Sequence, residues 1–165
     1  MNEARATNKS ELEIVENVRK HGCHINYVFD PDGVDPNFGY SIGFEATVDQ
    51  PEVIIFGLPV KLTNYMINET LRQCRDGLKL EDGTIVDGLL EGHRCVARTV
   101  PASRIAVEYF NSAMWHFWET RGEPLGRAVQ IVWPSATSGL FPWEPECSEL
   151  VRDSQPALYI ERLDS

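Results

Sequence analysis

Apolar residues recur along this chain with two periods, and the switches between them mark its elements. Leu12, Val15 and Val18 fall on one side of a helix over residues 11–20. Ser10 is placed to cap that helix, Glu13 three residues on completes a capping box, and Gly22 ends it. Residues 23–29, CHINYVF, then read as a strand closed by the turn-rich Asp30-Pro31-Asp32-Gly33. In residues 38–46, FGYSIGFEA, alternation puts Tyr40, Ile42 and Phe44 on one face of a second strand and Gly39, Ser41 and Gly43 on the other. That second face leaves room for close approach by another backbone or by a ligand. Residues 52–58, EVIIFGL, are apolar enough for a strand buried on both faces, and the intervening TVDQP suits a hairpin.

The period then lengthens. Pro59 opens a helix in its first turn, Leu62, Met66, Ile67, Leu71 and Cys74 form its stripe, and Gly77 stops it. Short strands are predicted in residues 78–100 around Asp82-Gly83 and Glu91-Gly92, with Arg94 to Val100 the clearest. An aromatic helix follows over 108–120, carrying Tyr109, Phe110, Trp115, Phe117 and Trp118. Phe110, Met114 and Phe117 with Trp118 make its core stripe, which leaves Trp115 and His116 for a surface or pocket. Residues 128–133, AVQIVW, supply a last core strand. The expected fold is α+β: residues 1–9 a loose tail, and 10–165 one domain with an antiparallel or mixed sheet, barrel-like closure among its forms, flanked by about three helices.

Charge narrows the partners. Fifteen basic against twenty-five acidic side chains give a net charge of −10 over 165 residues. That argues against nucleic acid, which needs a concentrated positive field, and against an anionic membrane surface. Six acids against two arginines fall in residues 141–165. No apolar run reaches the roughly 20 residues that span a bilayer. The start lacks the basic head and apolar stretch of a secretion signal, and the four cysteines are widely spaced. Reduced thiols in a cytoplasm are the expectation.

Catalytic motifs are scarce. His21-x-Cys23-His24 and His93-x-Cys95 put nitrogen and sulfur ligands two positions apart, so Cys23, His24, His93 and Cys95 form a conceivable zinc site across two strands. The spacing is neither that of a zinc finger nor of a ribbon, and the alternative is buried thiols beside exposed histidines. No nucleophile elbow and no glycine-rich phosphate cradle occurs. The aromatic surplus is the remaining signal. Tyr40, Ser41, Gly43, Trp115, His116, Trp133 and Trp143 are the candidate ligand-binding residues, with core packing as the competing role of the aromatics. Trp143 lies between two prolines in residues 141–147, FPWEPEC, which fixes its backbone on both sides.

Three blocks, in order, carry a resemblance: Tyr40-Ser41-Ile42-Gly43-Phe44, the run PEVIIFGLP over 51–59, and QIVWP over 130–134 leading to Phe141-Pro142-Trp143-Glu144-Pro145. Together they resemble the bacterial domain-of-unknown-function family 4262, over most of the chain from Cys23 to Pro156. Two departures stand out: Thr47-Val48-Asp49-Gln50, where a glycine is expected before Pro51, and Glu146, where glycine is usual. The resemblance implies a cytoplasmic bacterial protein and no established reaction, substrate or catalytic residue. The first two blocks are also, more loosely, similar to flavin-reductase-like split barrels, which would imply FMN. The leading expectation is a small binding domain that takes a small molecule or a protein partner at the aromatic and glycine-lined pocket. A flavin-using oxidoreductase is one alternative, and an acidic immunity or regulatory module is another. A homodimer is compatible with all three.

Overall fold

Residues 4–161 are described by the computed structural model. In chain order they form α1 (Lys9–His21), β1 (His24–Val28), β2 (Phe38–Ile42), α2 (Phe44–Val48), β3 (Glu52–Phe56), α3 (Val60–Arg75), β4 (Ile85–Leu90), β5 (His93–Val100), α4 (Val107–Arg121), β6 (Ala128–Val132) and α5 (Glu149–Ser154). The six strands make one mixed sheet in the order β1-β2-β3-β6-β5-β4. Every neighbouring pair is antiparallel except β3 and β6, which run parallel with Glu52 opposite Ala128. The sheet is open at β1 and β4, so the barrel-like option does not apply and α+β with a mixed sheet does.

Alternation along the central strands loads both faces. Val53 and Ile55 of β3, Cys95 and Ala97 of β5, and Val129 and Ile131 of β6 pack under α3, against Met66, Ile67, Leu71 and Cys74. Phe38, Tyr40 and Ile42 of β2, with Ile54 and Phe56 of β3, face the other way onto Ile14 of α1 and Phe110, Ala113 and Phe117 of α4. A strand covered on both sides reads as a continuous apolar run, which is why EVIIF was recognisable. The small face of β2 receives α3. A Cβ at Gly39 would lie 2.6 Å from the Thr63 Cγ2 atom, so the space is occupied by that helix.

Several predicted boundaries move for local reasons. α1 starts two residues earlier than expected, at Lys9, because Asn8 is its cap: the Glu11 amide donates to Asn8 Oδ1 at 2.8 Å. The Glu11 carboxylate accepts from the amide and hydroxyl of Thr7 at 2.8 and 2.7 Å, so the capping bonds join Thr7, Asn8 and Glu11 instead of Ser10 and Glu13. Ile14, one position off the expected stripe, is the buried residue of α1, and Leu12 is exposed. Asn8→Ala should cost about 1 kcal/mol of stability in a denaturant titration, and Ser10→Ala close to nothing. Ala4 is buried and the Arg5 amide donates to Glu119 of α4, while residues 1–3 lie outside the described ones. Pro59 is the cap of α3 and not its first helical residue, its carbonyl accepting from the Thr63 amide.

Two helices were unforeseen. The strand expected over 38–46 ends at Ile42, Gly43 turns with φ +105°, and the chain enters α2. Phe44 therefore belongs to a helix and packs in the α3 core, away from Tyr40 and Ile42. α5 is capped by the Ser148 hydroxyl, which accepts from the Val151 amide. In α4 the backbone departs from helical geometry at Phe110 (φ −135°, ψ 23°). His116 lies with Phe110, Ala113, Phe117 and Thr120 on one buried side at helical spacing, and Trp118 is 55% exposed.

Candidate functional site

Two buried polar arrangements organise this fold, one at each end of β3. The first is Glu52, 2% exposed at the start of the strand. Its carboxyl accepts from the Ser41 hydroxyl at 2.6 Å, the Gly43 amide at 2.8 Å and the Phe44 amide at 3.1 Å. Ser41 Oγ in turn accepts from the Val53 amide at 2.9 Å. The blocks YSIGF and PE are thus one hydrogen-bonded unit that holds the corner between β2 and α2. Burial pushes the Glu52 carboxyl up to about 7, against the pull of its three donors, and neighbouring Glu45 adds to the rise. The short contact to Ser41 serves both protonation states, because a hydroxyl can donate or accept.

The second arrangement lies where the chain returns after β6. Gln130 of β6 donates to the Pro156 carbonyl at 3.0 Å and accepts from the Leu158 amide at 3.0 Å. Gln155 repeats the pattern toward β6, accepting from the Trp133 amide at 3.0 Å and donating to its carbonyl at 2.9 Å. Two side-chain amides thus stand in for a strand ladder and fasten residues 155–158 over the sheet. The loop FPWEPEC is clamped from α5: Arg152 donates to the carbonyls of Pro142 at 3.0 Å, Glu144 at 2.8 Å and Pro145 at 3.0 Å. These two attachments define the walls of a cleft of about 480 Å³, lined by Trp143, Arg152, Asp153, Gln155, Tyr159 and Glu161 among others.

Behind that cleft sits Arg98 of β5, 2% exposed. Its guanidinium carbon lies 4.7 Å from the Trp143 ring centre and 4.5 Å from that of Tyr159, in the corner of two rings at 88°. Phe141 stacks on Trp143 at 5.0 Å, nearly parallel. Arg98 Nε donates to Asp82 Oδ1 at 3.1 Å and Nη2 to the Ile160 carbonyl at 2.8 Å. Nη1 has no partner, and among the described residues it is the one buried side-chain nitrogen or oxygen without one. Burial pushes the Tyr159 phenol up to about 12 even though Arg98 pulls it down, so that ring stays neutral.

The seven residues nominated from sequence are dispersed. Tyr40 faces α4, its hydroxyl accepting from Asn26 and from the Ser112 amide at 3.0 Å each. Ser41 faces the opposite side and holds Glu52; Gly43 is the turn into α2. Trp115 packs at the edge of the α4 core, and burial pushes the buried His116 imidazole down. Trp133 donates its indole N–H to the Phe56 carbonyl at 2.8 Å. Of the seven, Trp143 alone lines the C-terminal cleft. Arg98 and Tyr159, its partners there, were not nominated. The available signal was a charged residue between Val96 and Val100 on one face of β5.

The cysteine and histidine pairs are kept apart by topology. β1, which carries His24, and β5, which carries His93 and Cys95, are separated by β2, β3 and β6, a distance of about 19 Å at ordinary strand spacing. Among the described residues no group of three or more His, Cys, Asp or Glu is placed to hold a metal ion. Burial pushes the Cys23 and Cys95 thiols up to about 12, which disfavours thiolate chemistry at either. His24 is held between Asn17 and Asn26 at 2.9 Å on each ring nitrogen. Among the described residues no helix is long and apolar enough to cross a membrane.

No curated protein and no solved structure matches this chain, so the likeness to flavin-reductase-like split barrels gains no support. A family match spans residues 17–148, taking in the Ser41–Glu52 corner, Arg98 and the FPWEPEC loop. By that match the chain belongs to the family described as Domain of unknown function (DUF4262).

Proposed function

We propose that this domain binds a planar small molecule carrying a carbonyl or carboxylate acceptor, in the C-terminal cleft against Trp143 and Tyr159. The observation that carries the reading is Arg98 Nη1, a buried guanidinium donor without an acceptor beside two rings that line the cleft. Buried donors are nearly always paired, so an orphan on a charged group marks a place where an acceptor belongs. Trp143 and Tyr159 touch the Arg98 guanidinium and also line the cleft, which puts a ligand bound there next to that group. The volume suits a small molecule. The charged residues of its lining are Arg152, Asp153 and Glu161, which favours a ligand of little net charge over a strongly anionic one.

Two simple probes test this, benzoate and nicotinamide, each a planar ring bearing an acceptor. The expected result is a shift of the Trp143 indole N–H resonance on titration, with affinity reduced roughly tenfold or more in Trp143→Ala. Trp118→Ala, on the exposed side of α4, should bind as wild type. An unmoved Trp143 resonance with both probes, or undiminished binding in Trp143→Ala, overturns the reading. Native mass spectrometry of untagged protein would show a copurifying molecule directly.

A further inference from the structure

A second cavity, of about 310 Å³, opens between the β1–β2 connection and the start of α4. Its floor is aromatic. Phe38 and Phe56 lie 5.2 Å apart, and Tyr109 meets both edge-on, at 5.5 and 5.6 Å. Phe29, 66% exposed, and Val28 stand at its mouth. The charged residues lining it are Asp30, Asp35 and Glu108, and no lysine, arginine or histidine is among them.

The three carboxylates have different duties. Asp30 accepts from the amides of Asp32, Val34 and Asp35 at 3.0, 3.0 and 2.7 Å, bonds that hold its carboxyl below the usual range and shape the loop. Asp35 and Glu108 are exposed at the rim. Both act on Tyr109, whose phenol is pushed up first by burial, then by Glu108 and then by Asp35. The rim is therefore negative on two sides of an aromatic surface.

We propose that this pocket binds an organic cation, an alkylammonium or guanidinium head held between Asp35 and Glu108 with its apolar body against Phe29, Phe38 and Tyr109. The chemistry is specific to that class. Aromatic faces attract a cation, and burying its carbon stem covers the exposed Phe29 and Val28. An anion would meet two carboxylates and no positive partner. A neutral apolar ligand would use the rings and leave the rim charges without a role.

The test is a titration of the full chain with n-butylammonium chloride, followed through backbone amide resonances, with 1-butanol as the neutral control. Shifts are expected at Phe29, Asp35, Glu108 and Tyr109, with 1-butanol weaker by roughly tenfold. The Asp35→Asn/Glu108→Gln double variant should weaken butylammonium by a similar factor. Both positions are exposed, so its spectrum should stay that of a folded protein. Equal affinity for butanol and butylammonium overturns the proposal, as does binding unaffected by the double variant or an absence of shifts. A capped Gly-Lys-Gly peptide run in parallel separates the sources. Tighter peptide binding assigns the head to a partner's lysine, and tighter butylammonium binding assigns it to a free amine; both support the cation site.

Discussion

Replacing Glu52 with alanine is expected to lower the unfolding free energy by about 3–5 kcal/mol, measured by denaturant titration. The carboxyl is the shared acceptor of three buried donors: the Ser41 hydroxyl and the Gly43 and Phe44 amides. Removing it strands all of them where water does not reach. Glu52→Gln keeps one carbonyl oxygen and presents an unwanted NH₂ to the same donors, so it should cost less than alanine, about 1–3 kcal/mol. The two variants also differ from wild type in pH dependence. The folded pKa, about 7, exceeds the ordinary value of 4.5, so between these limits the folded state keeps a proton that the unfolded chain has released. The stability contributed by this group is therefore full below about pH 4.5 and is lost as pH rises through 7. Wild type should show that decline, and Glu52→Gln should lack this component of it. An identical slope in the two proteins would show that Glu52 stays ionised throughout.

Gly57→Ala is the second large effect, expected at about 3 kcal/mol. Gly57 follows β3 at φ +80°, and a Cβ there would sit 2.5 Å from the Ser154 carbonyl oxygen at the end of α5. The clash is with backbone, so no rotamer relieves it. Gly33→Ala is the control, with positive φ and open space around it, and should cost only about 1 kcal/mol. Gly57→Ala should also disturb Gln155 and Pro156, the residues that tie the C-terminal segment to β6. The amide resonances of residues 155–159 are expected to move in this variant and to stay in place in Gly33→Ala.

Much of this architecture was legible because its causes are local. The apolar run of β3, the α3 stripe and the Asp82-Gly83 and Glu91-Gly92 turns each announce themselves within a few residues. The missed features depend on partners distant in sequence. Nothing within FGYSIGFEA says that the strand must end at Ile42; the carboxyl that draws Gly43 and Phe44 into a turn belongs to Glu52. The buried side of α4 runs through Ala113 and His116 instead of Met114 and Trp118, because apolar residues lie all round this helix and hydrophobicity alone does not select a side. At the C-terminal cleft, Trp143 was legible through its flanking prolines. Arg98 and Tyr159 were not, since β5 and the residues after α5 meet only once the sheet is assembled. Arg98 still left a trace, a cation at an inward-facing strand position.

The parallel seam between β3 and β6 has a consequence for synthesis. β1, β2 and β3 can pair as soon as they emerge from the ribosome, whereas Ala128 to Val132 emerge only after α3, β4, β5 and α4 have been made. Until then the strand EVIIF has one edge without its partner, a short apolar β segment of the kind that recruits other chains. Its pairing across so much intervening chain is the slow kind of contact to form. Nascent chains halted before residue 128 should therefore be the aggregation-prone species, and yield during expression should depend on how quickly β6 is delivered.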